Sequence, residues 1–344
     1  MPAGGAPAPK EEQPMDEHQV DVLFLSRQEV ESLLTYADVV RAVEDAFRAD
    51  GSGRMLVPSK EVMRVGPHRA NCIFAMPGCL ESLNASGVKW TNFYPAQPDG
   101  YPTIWAHVLV LSRMDNGMPY AILDATAITN MRTAGGHAVV AAKHLARKGA
   151  KTLGVLGCGA QGRCAVRSFD EHFDLERIIV YSATPDKLER YVRETEGTLR
   201  ARLEIAQSPR DLAECSDILL TATTCRTPLI RAEWLPEGCL VDAMFAFNDI
   251  EPQISRFCDK WVVGHRESDR IEILEHPSFG HLLDPSDVYA SLGEIVCGKV
   301  PGRENDRERI VFSHMGMGTL DIAVGVHLVE KARRLGAGRT LRLT

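Results

Sequence analysis

Apolar and polar positions follow two different periods along this 344-residue chain. From Thr35 to Asp50 the apolar residues Val39, Val40, Val43 and Phe47 fall three to four positions apart, the stripe of an amphipathic helix. A shorter helix is predicted just before it in SRQEVESLL, where Ser26 and Glu29 have the spacing of a capping box; Thr35 and Asp38 repeat the device. Beyond residue 55 the chain changes to strand-like runs. MLVPSKEVMRV, NCIFAMPGCL, ASGVKWTNFY, TIWAHVLVLSRM and PYAILDA read as strands, with Gly, Pro, Asp and Asn between them. Asn116-Gly117 marks a tight hairpin between the last two. Together they predict an antiparallel or mixed sheet.

After Asp124 the pattern changes. TNMRTAGGHAVVAAKHLA is Ala-rich and predicts a long helix. The short apolar runs TLGVLG, RIIVYS, LEIA, DILLTAT, CLVDAMF and KWVVG follow, separated by segments of crossover length. Such alternation predicts a parallel sheet covered on both faces. GTLDIAVGVHLVEKARRL returns to helical spacing near the end of the chain and is placed to cross back and complete the first domain.

Composition narrows the function classes. Hydrophobic residues make up 44% and charged residues 25%, as in an ordinary folded chain. The net charge of -7 and the lack of a long basic tract argue against a nucleic-acid partner. No long uncharged apolar segment predicts a membrane span. Residues 1–20, rich in Ala, Pro, Gly and acid, read as a flexible tail. The nine cysteines, odd in number and without CxxC spacing, point to a reducing, cytoplasmic compartment and to core thiols, with no metal site.

Candidate chemistry starts at TLGVLGCGAQGRCAVRSF. Glycines 157, 159 and 162 follow an apolar strand and open a helix. In that context Gly157 allows the tight turn, Gly159 lets the backbone approach a pyrophosphate, and Gly162 lets helix pack on strand. The anion would sit on the free amides of the helix N-terminus. The bland alternative is a structural turn. The second strand of such a unit ends at Ser182, where an acid would select NAD over NADP. No acid stands there. Ser182, Thr184 and Lys187 are placed to receive a phosphate, which leans the cofactor toward NADP(H) without excluding NAD(H).

Two cations do not look structural. Lys89 lies on an apolar strand, and a buried lysine is costly unless an anion receives it. Arg132 opens the Ala-rich helix. Together they suit a small carboxylate, with Lys60 as a third member; the alternative is pairing with structural acids such as Asp124.

The segments GVKWTNFYP, GYPTIWAHVLVL, MPYAILDATAITNMRTAGGHAVVAAKHLA, KTLGVLGCGAQGR, CSDILLTATTCRTPLI, LGEIVCGKVPGR and VFSHMGMGTLDIA resemble the signatures of the ornithine cyclodeaminase/mu-crystallin family over about 22–340. That resemblance implies an α/β chain: a Rossmann-like, doubly wound parallel sheet domain over 131–312, and an α+β substrate-binding and dimerisation domain from 21–130 completed by 313–344. It implies a homodimer, NAD(H) or NADP(H), and a small amino or imino acid substrate. By motif, the substrate-binding lysine is Lys89 and the arginine is Arg132; the early arginine of the family is replaced near Lys60. The pyrophosphate loop is Gly157, Gly159, Ala160 and Gln161, with Gly162 where the family usually has Ala. Thr221, Ala222 and Thr223 are implied to flank the nicotinamide-side ribose.

Two departures bear on the reaction. The strand end VDAMFAFNDIEP has Asp242 for the usual asparagine, Phe245 and Phe247 at positions normally small or acidic, and Asp249 as the nearest candidate for the family's acid. FSHMGM places His314 where it can either donate to substrate or serve a surface or dimer contact. The residues favour an oxidoreductase that moves a hydride between the nicotinamide and an imino or amino acid, with Lys89 as general acid and Phe245, Phe247 and Trp90 as apolar lining. The alternatives are a cyclodeaminase that uses the cofactor catalytically and releases ammonia, and a binding protein that keeps the fold without the reaction.

Overall fold

The computed structural model describes residues 19–66, 71–94, 107–245 and 247–344. The expected tail up to residue 18 and the start of the TIWAHVLVLSRM run, up to Ala106, lie outside them.

The first domain is a mixed sheet. Its strands are β1 (Asp21–Leu25), β2 (Met55–Leu56), β3 (Glu61–Val65), β4 (Asn71–Leu80), β5 (Ala85–Phe93), β6 (Val108–Arg113), β7 (Pro119–Asp124) and the last strand, Arg339–Arg342. The last strand pairs antiparallel with β1, β1 runs parallel to β7, and β7-β6-β5-β4 follow antiparallel, with β2 and β3 both on β4. The strand β1 precedes the two helices with which the sequence pattern opens the fold; it is five residues long, with Val22 and Leu25 closed from solvent.

Helices α1 (Arg27–Leu33) and α2 (Tyr36–Gly51) carry the expected caps: Ser26 forms a full capping box with Glu29, and the Thr35 hydroxyl accepts from the Asp38 amide. Val39, Val40, Val43 and Phe47 are the buried stripe of α2. The C-terminal helix Gly318–Leu335 lies across β4, β5 and β6, burying Leu320, Ile322, Ala323 and Val324. Both ends of the chain therefore build this domain.

The long Ala-rich helix is interrupted. α3 (Thr126–Asn130) passes into a π-helical segment, Met131–His137, before α4 (Ala138–Leu145). A Cβ at Gly135 would lie 2.7 Å from the Tyr36 ring and one at Gly136 2.9 Å from Val39, so α2 packs against bare backbone here. Wider turns of this kind concentrate at functional sites because they free backbone groups and re-aim side chains.

The second domain is a parallel sheet of β8 (Thr152–Leu156), β9 (Arg177–Tyr181), β10 (Arg202–Ile205), β11 (Ile218–Thr221), β12 (Leu240–Met244), β13 (Lys260–Val263), β14 (Val288–Ser291) and β15 (Ile310–His314). The order is β10-β9-β8-β11-β12-β15-β13-β14. The chain reverses its direction of growth between β8 and β11, and ligands bind at such a switch point, beyond the carboxyl ends of the strands. Alternate residues bury against opposite faces, so β15 directs Phe312 and His314 to one side and Ser313 to the other, where it accepts from the Trp261 indole.

Candidate active site

Two neighbouring hollows lie beyond the carboxyl ends of the parallel strands, and the second opens where the domains meet. The first is a groove of about 350 Å³ at the switch point, lined by Gly157, Cys158, Gly159, Ser182, Thr184, Lys187, Ala222 and Thr223 among others. It begins where β8 turns into helix α5 (Ala160–His172). Gly157 has φ +115°, and a Cβ there would lie 2.5 Å from the Ala222 carbonyl. A Cβ at Gly162 would lie 2.1 Å from the Gly157 carbonyl, so α5 seats directly on the turn and an alanine has no room. The N-terminus of α5 has no side-chain cap, which leaves its amides for an anion, and the space above Gly159 is open. These are the fittings a dinucleotide pyrophosphate requires.

The second hollow, about 270 Å³, is lined by His107, Thr129, Asn130, Arg132, Phe245 and His314, among others. Ala160 and Gln161 line it too, so the start of α5 joins the two hollows. Gln161 ties them structurally: its side-chain oxygen accepts from the Ala134 amide at 3.1 Å, and its amide group donates to Asn130 at 3.4 Å.

Arg132 is 4% exposed, and its Nη1 has no hydrogen-bond partner among the described residues. Its Nε lies 3.2 Å from Asp321 of the C-terminal helix. Lys89 is 1% exposed; its Nζ is 2.8 Å from Asp321 and 3.3 Å from the Thr129 hydroxyl, which lines the hollow and itself donates to Asp321. Period-two alternation on β5 produces this: Lys89 and Thr91 face the C-terminal helix while Trp90 faces outward. Burial pushes the Lys89 ammonium down to about 8, against the pull of Asp321. Burial acts to raise Asp321, but Arg132 and Lys89 outweigh it and hold the carboxyl below its ordinary range. Burial, then Lys89, pushes His107 down to about 4, so its ring is neutral near pH 7.

On the far side, His314 Nε2 lies 3.2 Å from Asp242 Oδ1, with both side chains 1% exposed. The His137 ring lies against His314 at 4.0 Å between centroids, tilted by 47°, and burial holds it well below the usual imidazole range.

The sequence pattern of the ornithine cyclodeaminase/mu-crystallin family matches residues 20–335. The chain belongs to that family. It is 31% identical to an alanine dehydrogenase of Archaeoglobus fulgidus over 94% of this chain and 99% of that one. It is similar in structure to the Delta(1)-pyrroline-2-carboxylate reductase of Thermococcus litoralis in complex with NADH and L-proline, with a TM-score of 0.85 and 31% identity over 93% of this chain and 100% of that one. An archaeal alanine dehydrogenase dimer with bound NAD gives a TM-score of 0.85 at 28% identity, over 94% and 100% of the two chains.

Within this family framework the structure brings Arg132 and His314 to the hollow, sets Lys89 behind Arg132 on Asp321 and outside the lining, and corrects other expectations. Asp249 does not reach the hollow. The chain turns at Phe245, at φ +64°, and carries Asp249 back to the end of β11, where its carboxylate accepts from the Thr223 amide at 3.0 Å and from the Thr223 hydroxyl. Burial raises its carboxyl and Thr223 counters; the residue braces the cofactor groove. Lys60 does not line the hollow either, because Glu272 takes its ammonium at 2.9 Å. Thr221 lies wholly inside the sheet, leaving Ala222 and Thr223 on the groove. Phe247 packs into the core against Trp261 and Phe279, and Trp90 faces outward, so Phe245 alone of the three aromatics lines the hollow. Asp124 pairs with Arg27, not with the two cations. Sequence reasoning missed Asp321, His107 and Thr129. An acid in the apolar run GTLDIAVGV was the available signal for Asp321; His107 and Thr129 carried none.

Proposed function

We propose that the protein reduces a small 2-imino acid to the corresponding L-amino acid with NAD(P)H, and runs the reverse oxidation. That it is an NAD(P)(H)-dependent oxidoreductase of amino or imino acids follows from its family together with the groove. The reading of the reaction rests on Arg132, whose buried, unpaired Nη1 borders a small hollow continuous with that groove. A substrate carboxylate supplies the missing acceptor, and a guanidinium offers it a planar fork. Lys89 and Thr129 hold Asp321, which pairs in charge with the Nε side of Arg132 and leaves Nη1 for substrate. Met244, Phe245 and Met315 form an apolar wall that keeps water from the reacting carbon. Bound dinucleotide supplies the hydride at nicotinamide C4. A cyclodeaminase needs an acid for a distal amine, and Asp249 faces Thr223 instead.

The test is a screen of NAD(P)H oxidation with 2-oxo acids plus ammonia or methylamine, alongside preformed cyclic imines. The expected result is turnover of at least one small imino acid with chiral amino acid product. Absence of oxidation across the panel, with cofactor binding intact, overturns the reading.

A homodimer is part of the proposal. Trp90, Val108 and Met63 fall on the sheet face opposite the C-terminal helix and are 46%, 38% and 40% exposed, an apolar patch that a second copy would cover. The nine free cysteines fit a reducing, cytoplasmic setting.

A further inference from the structure

The lining of the substrate hollow contains few groups that carry a removable proton. Among its described residues only His107, Arg132 and His314 are titratable. Arg132 keeps its proton at any working pH. His107 is held neutral by burial and by Lys89, and its Nδ1 is 3.3 Å from the Thr129 hydroxyl. His314 differs. It projects from the end of β15, and Asp242, midway along the neighbouring β12, holds its Nε2. A carboxylate accepts, so Nε2 carries the hydrogen. Nδ1 is left with a lone pair and has no partner among the described residues, although the side chain is 1% exposed. An imidazole that lines the hollow, held through Nε2 by a buried carboxylate and with its second nitrogen unclaimed, offers that nitrogen to a substrate proton. The other charged or titratable groups facing His314 are His137 and Arg132 from the π-helical segment and Asp269 from Arg266–Asp269.

We propose that His314, oriented by Asp242, is the proton carrier for the substrate nitrogen. The inference rests on the imine-reductase reading above and deepens it. In reduction, the imine carbon gains a hydride, the C=N π pair moves to nitrogen, and nitrogen takes the proton of the imidazolium Nδ1. Neutral imidazole remains, paired through Nε2 with Asp242, and recovers its proton from solvent. In oxidation the same path runs backwards: the neutral amine gives up its hydride, the nitrogen lone pair forms the C=N bond, and Nδ1 takes the N–H proton.

Two substrates separate this role from a structural one. Delta(1)-pyrroline-2-carboxylate needs a proton on nitrogen, whereas its N-methyl iminium counterpart, already fully substituted and cationic, needs none. His314→Gln is expected to slow the first by about 100-fold or more, and to slow the second far less. Asp242→Asn, which preserves shape, should slow the first by about 10-fold or more by the same argument. Equal losses on both substrates overturn the proposal. Where the wild type uses neither, the same comparison is made with the 2-oxo acid that the panel identifies, its methylamine imine against its dimethylamine iminium; absence of oxidation across the panel overturns the imine-reductase reading instead. An arm independent of turnover decides the proton chemistry in either case. Imidazole 15N NMR should show residue 314 with its hydrogen on Nε2 and a lone pair on Nδ1. An Nδ1-protonated tautomer overturns the inference.

Discussion

Lys89 on β5 and Asp321 in the C-terminal helix, 232 positions apart in sequence, meet at 2.8 Å with solvent excluded from both. Asp321 is also 3.2 Å from Arg132, so one carboxylate serves two cations and the cluster keeps one positive charge in excess. A substrate carboxylate completes it. Buried charges are tolerated when paired, and this arrangement makes the substrate the last partner.

The excess charge depends on Lys89 keeping its proton, and burial has brought that group down to about 8. Affinity for an unreactive carboxylate such as pyrrole-2-carboxylate should therefore weaken as pH rises from 7 to 9.5, most steeply near 8. Inhibition constants across that range check it. Lys89→Gln should bind about 10-fold more weakly at pH 7, the worth of a charge-assisted contact, and lose the fall near pH 8. A fall that survives in Lys89→Gln assigns the proton elsewhere.

Asp50, at the end of α2, should make the fold less stable as pH rises. Burial, reinforced by Glu294, raises its carboxyl from 3.8 to about 7. Between those values the folded chain keeps a proton that the unfolded chain has released, so stability is lost as pH climbs through that window. Asn at this position stays neutral throughout. The advantage of Asp50→Asn in Tm should grow by about 3 °C or more between pH 5 and pH 8. A difference in Tm that is the same at both pH values contradicts this.

The glycine loop separates binding from folding. Nothing lies within 4 Å of a Cβ at Gly159, so Gly159→Asp should fold normally while its charge repels the pyrophosphate. Fluorescence titration should show NAD(P)H affinity reduced about 10-fold or more. Gly157→Ala should instead lower stability by about 1–3 kcal/mol, since φ is +115° and its Cβ would lie 2.5 Å from the Ala222 carbonyl. Unchanged affinity in Gly159→Asp would remove the loop from the cofactor site.

Cofactor choice should answer to position 182. Ser182, Thr184 and Lys187 all line the groove at the end of β9. Ser182→Asp places an acid where it binds ribose hydroxyls and repels a 2′-phosphate. The ratio of kcat/KM for NADH over NADPH should rise about 5-fold or more by that mechanism. If the ratio stays put, another residue reads the ribose.

The parts of the site that were legible in the sequence share a physical cause. Lys89 and Arg132 stand out because a cation in an apolar run needs a reason, and the strand-glycine-helix run needs only local context. Contacts across the fold were not legible in that way. Asp321 sits in an ordinary-looking amphipathic helix and acquires meaning only when that helix crosses β5. β15 enters the sheet between β12 and β13, out of chain order, and this brings His314 beside Asp242. Asp249 was placed by counting along the strand end, and the left-handed turn at Phe245 breaks that count. The six apolar runs after Asp124 all became strands; five are largely buried, and composition alone marks such strands, while LEIA forms the exposed edge strand β10.

The proposed reaction is net redox chemistry on an imino acid docked at Arg132. Its most direct measurement is the stoichiometry of reduced cofactor consumed per amino acid formed, followed by absorbance and mass spectrometry with wild type and Arg132→Ala, and with ornithine plus catalytic NAD+ as the counter-substrate. One NAD(P)H should be oxidised for each amino acid produced from the imine. In Arg132→Ala the KM should rise about 10- to 150-fold, the worth of a charge-assisted bond of about 1.5–3 kcal/mol, and ornithine should give no proline. Proline and ammonia formed from ornithine in equal amounts, without net change in the cofactor, would contradict it.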